Sequence, residues 1–339
     1  VKTILNEVQK IINPVYAVGG VCRDFILGFE PKDYDFSTSL TPEEIENAIR
    51  KVGKKPYLVG KRFGTIGMKI NGQLVEITTF RSEKYNDGSR KPEVQFVNDI
   101  IADLSRRDFT INAMAYREKL IDPFGGKEDL LNKIIKCVGH PSHRFNEDVL
   151  RMLRACRFAS QLGFIIEEKT FQAMKQLNYK ILSVSKERWV MELDKILLTD
   201  KPSIGLNYLM DSRIMNFILP EISLQKNYDQ NSQYHNLTLW EHTLSVVDNV
   251  PLDINLRWSA FLHDVAKPFV RTDKIVDDKL IKSNYIKHDL LGKEIVIKIA
   301  KYLKWSNDRT ETVSNLVANH LNNDSPLREA DNLGKIKNV

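Results

Sequence analysis

Asp33 and Asp35 stand two residues apart, shortly after Val18-Gly19-Gly20-Val21-Cys22-Arg23-Asp24 and Leu27-Gly28. Side chains two apart on a strand leave from the same face, so the two carboxylates can share one or two Mg2+ ions. The Gly-Gly turn upstream lets backbone N–H groups come close to phosphates. An isolated Asp-x-Asp is more often an acidic turn; the Gly-Gly-x-x-Arg-Asp prelude shifts the reading to metal-dependent nucleotidyl transfer. Glu76, in Val75-Glu76-Ile77-Thr78-Thr79-Phe80, shares a strand face with Leu74 and Thr78, opposite Val75 and Ile77. An acid inside a strand is costly when buried unpaired, and Glu76 is read as a third metal-facing carboxylate. Three carboxylates supply enough oxygen ligands to lower the pKa of an attacking 3′-hydroxyl and neutralise a leaving pyrophosphate through bound metal.

Two basic segments follow. In Arg106-Arg107-Asp108-Phe109-Thr110-Ile111-Asn112-Ala113 an Arg can fork onto triphosphate oxygens while Asp108 or Asn112 holds ribose hydroxyls. In Glu147-Asp148-Val149-Leu150-Arg151-Met152-Leu153-Arg154-Ala155-Cys156-Arg157-Phe158 the residues Asp148, Arg151, Arg154 and Arg157 recur every three positions. If helical, they fan along one side, either as a solvated ion-pair face or as a reader of bases. Cytosine and adenine both offer an exocyclic amine beside an unprotonated ring nitrogen. Asp accepts from the first and Arg donates to the second, a pairing that rejects uracil and guanine.

A second set of metal-ligand types lies toward the C-terminus: His242, the pair His263-Asp264, His288, His320 and Asp331. Imidazole and carboxylate together suit a divalent transition metal, or Mg2+ on the oxygens alone.

The elements that carry these residues are legible in outline. Val15 to Val18 reads as a strand, Val21 to Leu27 as a short helix and Tyr34 to Ser37 as the strand bearing the aspartates. Thr41-Pro42-Glu43-Glu44 is a helix start. Thr65 to Ile70 and Leu74 to Thr79 form a hairpin about Asn71-Gly72, and Ser82 to Pro92 is a polar loop. From Asn146 the period becomes helical, with Leu150, Leu153, Ala155, Phe158 and Leu162 on one stripe and a further helix over Lys186 to Leu198. Helices follow over Leu239 to Val250, Leu256 to Val265, Leu290 to Leu303 and Thr310 to Asn319. The 339 residues, 42% hydrophobic and 28% charged, fit a globular protein of two or three domains. No apolar run approaches the roughly 18–20 residues of a membrane span, and the first residues lack a signal-peptide pattern. Cys22, Cys137 and Cys156, with no Cys-x-x-Cys pair, read as reduced thiols of a cytoplasmic protein. A net charge of +6 is a weak pointer to a polyanionic partner.

Taken in order, Gly19-Gly20-x-x-Arg23-Asp24, Asp33-x-Asp35, Arg106-Arg107-Asp108-Phe109-Thr110-x-Asn112-Ala113, Asp122-Pro123-Phe124-Gly125-Gly126, Glu147-Asp148-x-x-Arg151 and Glu187-Arg188 through Lys195 resemble the class II tRNA nucleotidyltransferase family. This family comprises CCA-adding enzymes and bacterial poly(A) polymerases. The resemblance implies an α+β, polymerase-β-like head (residues 1–135, a mixed sheet with helices), then an all-helical neck (136–228). It implies addition of CCA to the tRNA 3′ end from CTP and ATP. Asp33 and Asp35 would bind Mg2+ with help from Glu76. Gly20, Arg23 and Arg107, with Asp108 and Asn112, would hold triphosphate and ribose. Asp148 and Arg151 would read the base with support from Arg154 and Arg157, and Glu187 and Arg188 would brace the neck. Subfamilies that add only CC lack a loop where Ser82 to Pro92 stands, which favours complete addition. The histidines, with Leu262-His263-Asp264-Val265-Ala266-Lys267-Pro268, resemble the HD phosphohydrolases and imply a helical HD domain over 229–339. A phosphoesterase acting on tRNA 2′,3′-cyclic ends and an inactive RNA-facing scaffold both remain open. Family members often continue into helices that grip the tRNA elbow; this sequence ends soon after Asp331, so either the HD unit supplies that grip or the chain is shortened. Alternatives are a poly(A) polymerase or a CC- or A-adding enzyme, an HD phosphohydrolase with a nucleotide-binding head, and a non-catalytic RNA-binding protein.

Overall fold

The computed structural model describes residues 1–84, 93–231, 237–276 and 279–334, in two compact units, Val1–Asp148 and Val149–Val339. The first is built on a six-stranded mixed sheet in the order β3-β4-β2-β1-β7-β8. Its strands are β1 Tyr16–Val18, β2 Tyr34–Thr38, β3 Thr65–Ile70, β4 Gln73–Thr79, β7 Ala115–Tyr116 and β8 Leu120–Ile121. Strands β5 (Arg81–Lys84) and β6 (Glu93–Phe96) form a separate antiparallel pair. Within the large sheet β2 and β4 run parallel, and the other neighbours are antiparallel.

Alternation decides what each face does. Tyr34 and Phe36 of β2, Ile66 and Met68 of β3, and Val75 and Ile77 of β4 are buried together with Ile4, Leu5 and Val8 of helix α1 (Lys2–Gln9). Ile45 and Ile49 of a helix over Pro42–Lys51 join them. That helix begins as expected, with Thr41 and Glu44 in a reciprocal capping box and Pro42 in the first turn. The opposite face of β2 and β4 carries Asp35 and Glu76, both exposed. The hairpin at Asn71-Gly72 is present, with both residues at positive φ (50° and 81°), as a tight two-residue turn between twisted strands requires. Asp33 differs from expectation: it lies in the bend before β2, and only Asp35 is on the strand. Residues 85–92, most of the expected Ser82 to Pro92 loop, lie outside the described residues.

The second unit is mainly helical. Two of its helices, Arg151–Leu162 and Pro202–Asp211, cross at Gly205, where a Cβ would stand 2.5 Å from Ser160 Oγ and 2.6 Å from the Cys156 carbonyl oxygen. Gly205 N–H donates to Ser160 Oγ there (2.7 Å). Trp189, Leu193 and Ile196 of the helix Lys186–Leu197 complete this core. Helices follow over Leu239–Asn249, Ile254–Leu262, His288–Leu303, Asn307–Ala318 and Arg328–Leu333.

Three expectations are corrected. The stripe from Asn146 to Phe158 is two helices: the first, Pro141–Glu147, ends at Asp148, whose backbone is extended (φ −142°, ψ 104°), and the next starts at Arg151. His263-Asp264 lies just past the end of the helix Ile254–Leu262. The C-terminal part also contains a β-hairpin, Thr272–Val276 with Lys279–Asn284, so it is not wholly helical.

Candidate active site and second metal centre

Asp35 and Glu76 are register partners in the parallel β2–β4 pair, so their carboxylates leave the sheet side by side on its open face. Although the Asp35 side chain reaches solvent, loss of hydration among its neighbours pushes its carboxyl above its ordinary range; the Glu76 and Asp33 charges add to this, and the Arg107 guanidinium opposes it. Three acids with so little compensation form a hard, anionic oxygen set, which is what Mg2+ binds. Gly19, at φ 60° and ψ −130°, turns the chain from β1 into the helix Gly20–Leu27. The positive φ favours glycine there, and a Cβ at Gly19 would come to 3.0 Å from Arg107 Nη1, crowding the guanidinium.

The predicted nucleotide-holding residues form one connected network. Arg23, buried, donates through Nη1 to Asn112 Oδ1 (2.9 Å) and pairs with Asp24 (2.6 Å). Asn112 Nδ2 donates to Asp108 Oδ1 (3.3 Å). Arg107 Nη2 lies 3.2 Å from Asp103 Oδ2 and 3.5 Å from Ser37 Oγ, on the strand that carries Asp35. Asp103, which sequence reasoning missed, is fully buried and also accepts from Arg106 (2.8 and 3.0 Å) and from the Arg81 amide. Burial alone would raise its pKa; the Arg107 and Arg106 charges and hydrogen bonds win and hold it low. The Asp103-x-x-Arg106-Arg107 spacing, with the arginines at i+3 and i+4 just past the end of the helix Ile100–Ser105, is the signal that could have found it.

In the C-terminal part the six expected ligands converge. His242 Nδ1 faces the Gly334 carbonyl at 2.9 Å, His263 Nδ1 that of Ala260 at 2.8 Å, His288 Nδ1 that of Tyr285 at 2.7 Å and His320 Nδ1 that of Val317 at 2.6 Å. A carbonyl can only accept, so each Nδ1 carries the proton and each Nε2 presents a lone pair when the ring is neutral. These lone pairs meet: His242 Nε2 is 3.0 Å from His263 Nε2, and His288 Nε2 is 3.1 Å from His320 Nε2. Two acceptors at that distance need a cation or a proton between them, and the donor set fits a metal. The atoms form two groups, His242–His263–Asp331 and Asp264–His288–His320. Asp264, a member of the second, also reaches the first, with Oδ2 3.0 Å from His263 Nε2 and 3.3 Å from His242 Nε2, and Oδ1 3.3 Å from His288 Nε2. Burial opposes the Asp264 charge, yet His263 and Lys267 hold its pKa well below the usual range. Burial and the His263 charge push His320 down to about 4. Lys267 Nζ, itself buried, sits 2.7 Å from Asp264 Oδ2 and 2.8 Å from Gln230 Oε1. Neither Lys267 nor Gln230 was singled out from the sequence as a site residue.

Comparison with known proteins accords with this geometry. A family model described as "Poly A polymerase head domain" matches residues 15–136, one described as "Probable RNA and SrmB- binding site of polymerase A" matches 163–225, and an HD domain model matches 239–336. A crystal structure titled as a tRNA nucleotidyltransferase complexed with a primer tRNA and an incoming ATP analogue is 30% identical, with a TM-score of 0.58, covering 76% of this chain and 74% of that one. The chain belongs to the tRNA nucleotidyltransferase family. The CCA-adding enzyme of Bacillus stearothermophilus, solved in complex with CTP, is 27% identical with a TM-score of 0.63, over 97% of this chain and 76% of that one. The CCA-adding enzyme of Lactococcus lactis subsp. cremoris (strain SK11) is 38% identical over 273 residues, 75% of this chain and 65% of that protein. The chain thus matches less than two thirds of the length of such curated relatives.

The expected base readers have different surroundings. Asp148 caps the helix Pro141–Glu147, and its amide donates to the Arg144 carbonyl (3.4 Å). Arg151 is buried at the start of the next helix. Arg154 lies over the Phe158 ring at 5.5 Å. Arg157 Nε donates to Glu192 Oε2 at 2.7 Å and its guanidinium covers Phe158 at 4.1 Å, tying two helices of the second unit together. Glu187 pairs with Lys304 at 2.7 Å on the surface. No described helix is long and apolar enough to cross a membrane.

Proposed function

We propose that this chain adds C, C and A to the 3′ end of tRNA, using CTP and ATP. The observation that carries the reading is the pairing of Asp35 with Glu76 on the open sheet face, beside the Gly19-Gly20 turn and the Arg23–Asn112–Asp108 network. Asp33, Asp35 and Glu76 would hold Mg2+, which when bound activates the 3′-hydroxyl and neutralises pyrophosphate. The chain's own residues do the rest. Gly20 and Arg107 offer donors to the triphosphate, Arg23 stays oriented by Asp24 and Asn112, and Asp108 and Asn112 face the ribose. Asp148 and Arg151 select cytosine or adenine over uracil and guanine by the order of donor and acceptor; Arg154 supports them, while Arg157 braces the helix of Arg151 through Glu192. We assign residues 1–135 to the head, 136–228 to the neck and 229–339 to the HD-type domain; the order of the family-model matches supports this. Three free cysteines and the tRNA substrate support work in the cytoplasm.

The test is incubation with Mg2+ and a tRNA lacking its 3′ CCA, scored nucleotide by nucleotide. CTP alone should add two residues and both triphosphates three. A long A tract from ATP alone would move the assignment to poly(A) polymerase, and no extension would overturn it.

A second activity is favoured by the two ligand groups that share Asp264. This donor set suits two divalent transition-metal ions that activate water against a phosphoester, with tRNA ends bearing 2′,3′-cyclic phosphate as the substrate class. Opening of the cyclic phosphate by water to a monoester with Mn2+ present, in an Asp35→Ala chain, would establish it separately from transfer.

A further inference from the structure

Three of the four histidines in the second metal centre have their tautomer set locally. His263, His288 and His320 each place Nδ1 against the carbonyl three residues back, on Ala260, Tyr285 and Val317. His242 differs: its Nδ1 donates to the carbonyl of Gly334, 92 positions away, at 2.9 Å. Tertiary packing therefore orients this ring. The same segment also meets the other ring nitrogen, with Asp331 Oδ1 3.2 Å from His242 Nε2. One turn of chain, Asp331 to Gly334, thus grips the imidazole at both nitrogens. Gly334 has ordinary helical dihedrals (φ −74°, ψ −6°), so its backbone alone would accept any L residue. Space excludes them. A Cβ there would stand 2.9 Å from His242 Nδ1, 3.2 Å from His242 Cε1 and 3.0 Å from Val246 Cγ2. His242 and Val246 are fully buried on the helix Leu239–Asn249, with no room to turn aside.

The helix Arg328–Leu333 brings modest adhesion of its own. Six residues long, it buries Ala330 and, at its N-cap, Leu327, while Leu333 is 56% exposed. Its seat depends on the close approach at Gly334. A histidine that ligates a metal through Nε2 is held ready by a partner on Nδ1, and losing such a partner weakens the metal about tenfold to a hundredfold. We infer that Gly334 is a positioning residue of the second metal centre. Its carbonyl fixes the His242 tautomer, and its bare Cα lets the helix close until Asp331 completes the group His242–His263–Asp331. The histidines of the group Asp264–His288–His320 are set by carbonyls within one turn of themselves. The two groups are therefore unequal: one is assembled locally, and the other only when residues 328–334 are seated.

The inference rests on the two-ion reading above, and the two are tested apart. Every chain carries Asp35→Ala to disable the head site, and the chain with that change alone is the reference. Mn2+ titration of Gly334→Ala should show one ion bound as in the reference and the other weakened about tenfold to a hundredfold. Added to His320→Ala, Gly334→Ala should weaken the single remaining ion by the same factor. Hydrogen exchange of amides 328–334, read without metal, should be about tenfold faster in Gly334→Ala. Alanine is the better helix former, so propensity alone would slow that exchange. Leu333→Ala, on the same helix but turned to solvent, should match the reference in both measurements. Two ions at reference affinity in Gly334→Ala, both ions weakened together, or exchange no faster than the reference would overturn the assignment. A reference chain that binds no Mn2+, with faster exchange in Gly334→Ala, would sink the two-ion centre and leave the grip on His242 in place.

Discussion

Asp35 on β2 and Glu76 on β4 face each other across the parallel pair of the head sheet, one strand apart and both open to solvent. Side chains fixed on neighbouring strands are held more firmly than side chains on loops, and Asp33 lacks that support. Asp35→Asn should therefore lower nucleotide incorporation by about a thousandfold and Glu76→Gln by about a hundredfold, with thermal unfolding unchanged. Single-turnover incorporation of CTP, alongside circular dichroism melts, separates the two effects. Equal, small losses for both would mean that neither carboxylate holds the metal.

Arg157 should prove a brace more than a base contact. Its guanidinium is committed to Glu192 and Phe158, with only 12% of its side chain exposed and 5% of that of Glu192. Breaking such a pair leaves a nearly buried carboxylate alone, which costs about 3 kcal/mol. Arg157→Ala should therefore shift the urea midpoint of the helical unit strongly, while the preference for CTP over UTP stays as it was. A changed preference at full stability would return Arg157 to the base-reading role.

The parts of the fold visible beforehand were those with a local cause. Alternation put Glu76 on the face opposite Val75 and Ile77, Asn71-Gly72 marked the hairpin, and Thr41-Pro42 marked a helix start. The helix break at Asp148 was hidden because no Gly or Pro lies between Asn146 and Leu150, and the apolar stripe runs straight through. The hairpin at Thr272–Asn284 was hidden because its connection is Asp-Asp and lacks glycine. The pairing of Asp35 with Glu76 and the reach of Asp264 into both ligand groups depend on contacts far apart in sequence. No spacing rule reports them.

The histidine centre should bind two ions. The His242–His263–Asp331 and Asp264–His288–His320 groups each offer three ligand atoms, and all six residues are buried. In a Mn2+-loaded Asp35→Ala chain, whose head site is disabled, elemental analysis should find about two ions per molecule. Adding His320→Ala should reduce this to about one and adding Asp264→Ala to none, since the shared carboxylate is removed. One ion in the parent chain, or two in His320→Ala, would refute the arrangement.

Asp103 makes the head's stability depend on pH in a defined direction. Its carboxylate is fully buried and held below the ordinary range by Arg107 and Arg106 against the pull of burial. A group whose folded pKa is depressed contributes stability that is fully present above its unfolded pKa, near 4 for Asp, and is lost as pH falls through the folded value. The parent head should thus be insensitive to this group at pH 7 and weaken progressively below about pH 4. Asp103→Asn removes the titration and leaves two guanidinium groups without their acceptor, so it should be about 3 kcal/mol less stable at pH 7. As pH falls through the lowered folded value the difference should shrink, because the parent carboxyl then becomes protonated as well. Urea unfolding of both chains, followed from pH 7 down into the acid range, measures the gap; a gap that stays constant down to the pH at which both chains unfold would mean that Asp103 stabilises the head by packing alone.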